Sequence, residues 1–82
     1  MTEEAIFDRI AAAGALPRIE DRVHLRRALG IQQREIAAAV GVSTQSVWAW
    51  ETGRSEPKGD HRVRYAELLA AMRRRLDEAE EG

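Results

Sequence analysis

Eighty-two residues, 44% of them hydrophobic and 33% charged, make one small globular domain with at most an appended arm. There is no cysteine, which excludes a disulfide framework and a thiolate metal site. The apolar runs fall far short of the roughly 20 residues that span a bilayer, and no signal peptide is visible, so a cytoplasmic, nucleoid-associated protein is expected. The net charge of −1 conceals a pattern: residues 1–20 carry −2, residues 21–76 carry +5 and residues 77–82 carry −4. A basic body between acidic ends fits phosphate binding on one face, although a mixed solvated surface has the same composition.

In chain order, five helices are predicted. Thr2 can cap a first helix over about Glu3 to Ala13, with the apolar stripe Ile6, Phe7 and Ile10, and Gly14 ends it. Pro17 lies in the link or in the first turn of the next helix. The second helix spans about Ile19 to Leu29, with Gly30 as its stop. The third begins at Gln33 and carries Ile36, Ala37 and Val40 on one face. Gly41 falls where a helix end needs a left-handed residue. Ser43 is a good N-cap for a fourth helix that runs to about Thr52, with Val47 and Trp50 on its inner face and Gly53 as its stop. Thr52 to Gly59 is a loop marked by two glycines and Pro57. Asp60 then caps a long last helix with Val63, Leu68 or Leu69, Met72 and Leu76 at helical spacing, fraying into the acidic tail DEAEEG. The domain reading is an N-terminal helical arm over 1–17, a body over 18–76 and an acidic tail over 77–82.

Two short helices joined by a glycine turn, with a small residue (Ala37) where they cross, form a helix-turn-helix. In that unit the second helix enters the major groove and leads with its N-terminal residues, here Ser43, Thr44 and Gln45, with Trp48 and Ala49 one turn on. A glutamine amide such as that of Gln45 matches adenine N6 and N7, and the Thr44 methyl or hydroxyl suits a base edge. Trp48 shares the face of residues 44, 45 and 49, opposite Val47 and Trp50. The alternatives for Trp48 are packing under the last helix or at a dimer contact; for Gln45, plain solvation.

The segment QREIAAAVGVSTQSVWAWETG, preceded by LRRALGI and followed by Pro57, strongly resembles the helix-turn-helix of phage repressor and Cro proteins and of XRE-like bacterial regulators. The resemblance rests on Gln33, Ala37, Gly41, Val47, Trp50, Glu51 and Gly53 and covers about Val23 to Met72. It implies an all-α, lambda-repressor-like bundle of about five helices, here with an added N-terminal helix and one long C-terminal helix replacing a usual fifth. It implies contacts to the DNA backbone from Gln33, Ser46, Arg54 and Lys58, with charge added by Arg62 and Arg64. It also implies a structural ion pair between Arg26 and Glu51.

The function expected is sequence-specific double-stranded DNA binding by a transcriptional regulator, acting as a repressor and as a homodimer. The alternatives are a DNA-architectural or recombination accessory factor, and an antitoxin-like module that meets a protein partner through the N-terminal arm. An enzyme is not expected. His24 and His61 are far apart in sequence, no carboxylate cluster joins them, and neither a metal nor a cofactor is implied. Arg73 to Arg75 reads as a solvated face offset by the acids that follow.

Overall fold

The computed structural model describes residues 2–6 and 16–81. Residues 3–6 are helical, with the Thr2 hydroxyl accepting from the Ala5 N–H at 3.2 Å. Phe7 and Ile10, and with them most of the expected first helix, lie outside the described residues. Among the described residues there is no strand, and four helices follow: α1 (Ile19–Ala28), α2 (Gln33–Val40), α3 (Thr44–Thr52) and α4 (Gly59–Glu81). Among the described residues no helix is long and apolar enough to cross a membrane.

Each helix forms for a local reason. Pro17 sits in the link, and α1 opens with Glu20 and Asp21 in its first turn and closes with Arg26 and Arg27 in its last, both favourable to the helix dipole. At the start of α2 the Glu35 carboxylate accepts from the Gln32 N–H at 3.1 Å, the back-bond of a capping box. Helix α2 ends on Gly41 at φ 88° and α3 on Gly53 at φ 78°, both left-handed. A side chain at Gly41 would meet the Arg64 guanidinium at only 3.5 Å, so space is not the constraint there; the backbone conformation is. Gly41→Val is therefore expected to cost about 1–2 kcal/mol of stability, since a β-branched residue resists this conformation. A lowered urea midpoint checks it; a wild-type midpoint would contradict it.

Helix α3 packs against both α1 and α2, and α4 closes over α1 and α2. Leu25, Ile36, Ala37, Val40, Val47, Trp50, Tyr65, Leu69, Met72 and Leu76 form the core. Ala37 is buried between its neighbours, as a close crossing of α2 and α3 requires. Trp50 and Tyr65 meet with ring centroids 4.9 Å apart at 40°.

The last helix departs from expectation in three ways. It begins at Gly59, so Asp60 lies in its first turn and not at its cap, while the Lys58 carbonyl accepts from the Arg62 N–H. Its buried face is Tyr65, Ala66, Leu69, Met72 and Leu76, with Val63 and Leu68 only half-buried. It also continues to Glu81, so the acidic segment is the end of a helix rather than a frayed tail. Alanine and glutamate are strong helix formers, and an Arg73–Asp77 pair at 3.6 Å supports the turn that enters this segment.

Burial of the phenol, with the negative charge of Glu51 adding to it, pushes the Tyr65 pKa up from 10.0 to about 12. A raised folded-state pKa means that the folded chain holds this proton more tightly than the unfolded one. Its contribution is complete below pH 10 and is lost as pH rises towards 12. Thermal melts across that window are expected to show falling stability, with a shallower fall in Tyr65→Phe. Equal slopes in the two proteins would contradict this assignment.

Candidate nucleic-acid interface

Helix α3 presents two unlike faces. Val47 is fully buried and Trp50 is 5% exposed, whereas Thr44 and Gln45 are exposed and Trp48 keeps 42% of its surface. The 3.6-residue repeat dictates this division, because positions 44, 45 and 48 fall opposite 47 and 50. Ala49 is half-buried at the edge of the same strip, and its carbonyl accepts from the N–H groups of Gly53 and Arg54 at the end of the helix.

Ser43 is the N-cap. Its hydroxyl accepts from the Ser46 N–H at 3.1 Å and lies 3.1 Å from the Ser46 hydroxyl. Both serine side chains therefore help to start the helix, and Ser43 is exposed at its tip. Trp48 does not tuck under α4. The Arg54 guanidinium sits over its ring, 5.1 Å from the centroid, so the two side chains form one outward unit of cation and aromatic face.

What holds this helix is a polar network at its far end. Arg26 donates from Nε to Glu51 Oε2 at 2.6 Å and from Nη2 to Glu51 Oε1 at 2.9 Å, a bidentate pair, and a third nitrogen donates to the Ile31 carbonyl. Gln33 Nε2 donates to the same Glu51 at 3.0 Å. The carboxylate is 5% exposed and the guanidinium 12%, and this hydrogen bonding holds the Arg26 pKa above its usual range. Glu51 is thus the point where α1, α2 and α3 are tied together.

Arg22 is the residue that sequence reasoning missed. It is buried, and donates to the Pro17 carbonyl at 2.8 Å, to the Trp50 carbonyl at 3.3 Å and to both carboxylate oxygens of Glu56 at 3.1 and 3.2 Å. One turn apart on α1, Arg22 and Arg26 each grip the C-terminal end of α3. Arg22 also fixes the loop that follows, through Glu56, and the link that precedes α1, through Pro17. A signal was available: Arg22 occupies the row of Leu25 and Leu29, where a solvated residue would break the apolar stripe.

Positive side chains flank the exposed strip. Arg54 and Lys58 lie exposed in the loop between α3 and α4, and the Arg64 guanidinium lies beside Gly41 at the turn between α2 and α3. Arg62 is half-buried in the first turns of α4. A rigid helix with a polar and aromatic outer face, bordered by arginine and lysine, can insert between two phosphate ridges while its borders neutralise them.

Comparison with curated proteins and with solved structures finds no match. The family model described as Helix-turn-helix matches residues 24–70, more than half of the chain, and spans α2, the turn and α3 completely. The fold is accordingly all-α and lambda-repressor-like, and the chain belongs to the helix-turn-helix family of Cro- and XRE-type DNA-binding regulators.

Proposed function

We propose that this chain is a sequence-specific double-stranded DNA-binding repressor that works as a homodimer and occupies a promoter. The observation that carries the reading is the exposed strip of Thr44, Gln45 and Trp48 on a helix whose opposite face is buried and whose end is fixed by Arg22, Arg26 and Gln33. Gln45 is assigned to adenine in the major groove. Thr44 and Trp48 are assigned to base edges and thymine methyls, with Ser43 and Ala49 at the borders of the strip. Gln33, Ser46, Arg54, Lys58, Arg62 and Arg64 are assigned to phosphates. For Gln33 this role runs alongside its bond to Glu51, because that bond uses the amide nitrogen and leaves the amide oxygen and the start of α2.

One helix reads only a few base pairs, and a two-fold pair of copies reads two half-sites about 34 Å apart. Selection of bound duplexes from random DNA tests the proposal, with an enriched palindromic motif at that spacing as the expected result. Recovery of unenriched sequence would refute it. Arg54→Ala is expected to weaken binding to all duplexes and to reduce the salt slope by about one. An unchanged slope would remove Arg54 from the phosphate contacts.

A further inference from the structure

We infer that Trp48 is the positioning residue for Arg54: its indole holds the guanidinium beside the exposed strip, and the two side chains grip one DNA phosphate as a unit. The inference rests on the reading that α3 enters the groove of a duplex. It adds that a residue of the base-facing strip also sets a contact to the backbone.

A fixed turn delivers Arg54 to Trp48. Gly53 reverses the backbone at φ 78°, and the N–H groups of Gly53 and Arg54 both donate to the Ala49 carbonyl, the latter at 3.0 Å. The Thr52 hydroxyl donates to the Trp48 carbonyl at 2.9 Å, so the backbone that carries the indole is held as well. Arg54 is thereby turned back towards α3, with its guanidinium carbon 5.1 Å from the centroid of the Trp48 ring. Trp48 keeps 42% of its surface beyond this contact, enough to hold Arg54 and still face the groove.

The carboxylates nearest to Arg54 in sequence are already engaged. Both oxygens of Glu56 accept from Arg22, and both oxygens of Glu51 accept from Arg26. Among the described residues the Arg54 guanidinium has neither an ion pair nor a hydrogen bond, only the ring. An aromatic face attracts the cation but offers no lone pair to its N–H donors. Those donors stay available to an acceptor outside the chain, and the fork of a guanidinium matches two phosphate oxygens. A free arginine side chain would lose rotamer freedom on meeting a phosphate; here the ring has removed part of that freedom in advance.

Affinities of the full chain for the selected duplex and for an unrelated duplex, each at several salt concentrations, test this. The variants are W48L, W48F, R54A and W48L/R54A, all at exposed positions, with circular dichroism to check that each stays helical. The unrelated duplex is decisive, because base reading contributes almost nothing there. On it, W48L is expected to weaken binding roughly 3- to 30-fold and to flatten the salt slope. In the R54A background the same change is expected to cost less than about twofold and to leave the slope alone. W48F keeps a ring under the cation and is expected to restore most of the loss. Equal losses from W48L in the two backgrounds, an unmoved slope, or W48F as weak as W48L would each overturn the inference. A loss from W48L confined to the selected duplex would sink this inference and leave the DNA reading standing. A chain that shows the coupling yet prefers no duplex would sink the sequence-specific reading alone, and a chain that binds no duplex would sink both.

Discussion

Glu51→Ala is expected to lower stability by about 3–5 kcal/mol, because it strands a nearly buried guanidinium rather than merely deleting a contact. Arg26 would keep its bond to the Ile31 carbonyl but lose both bonds to the carboxylate, and the Gln33 amide would lose its acceptor. The pair contributes less than its removal costs, since bringing both charges out of water offsets much of their attraction. For a domain of this size the loss corresponds to a fall in melting temperature of more than about 12 °C. It would consume a large share of the roughly 5–15 kcal/mol that holds such a fold. Glu51→Ala combined with Arg26→Ala is expected to cost less than the sum of the two single changes. Additive losses, or a single-variant loss below about 1 kcal/mol, would contradict the account of this network.

Gln45→Ala is expected to cost about 1–3 kcal/mol on the selected site, a loss of roughly 5- to 150-fold in affinity, and almost nothing on unrelated duplexes. The side chain is exposed and no bond within the fold depends on it, so stability should not change. The informative quantity is the ratio of specific to nonspecific binding, measured at one salt concentration. A uniform loss on every sequence would assign Gln45 to the backbone or to folding instead.

The helix-turn-helix was legible because its determinants are local. Ser43 caps the helix it begins, Gly41 supplies a conformation that the turn demands, and the alternation of Val47 and Trp50 with Gln45 and Trp48 fixes the two faces within nine residues. The pairing of Arg26 with Glu51 came from resemblance and not from spacing, since nothing local joins positions 25 residues apart. Arg22 stayed hidden for a related reason. Its partners Trp50 and Glu56 lie 28 and 34 residues away, and a charged residue is not assigned to a core until such partners are known. In α4 the row through Leu69, Met72 and Leu76 was visible, but Tyr65 and Ala66 were not, because a phenol and a small residue add little to an apolar period. The acidic end was read from charge alone, which favours a tail, while the propensity of Ala and Glu kept it helical.

The central claim is that Thr44, Gln45 and Trp48 form the surface that enters the groove. The chain has two tryptophans, one exposed and one in the core, and each indole N–H gives its own signal in a nitrogen-15 spectrum. Titration with the selected duplex is expected to shift the Trp48 indole and the Thr44 and Gln45 amides strongly while the Trp50 indole stays in place. A specific complex in which those signals do not move, and a different face of the chain responds, would contradict it.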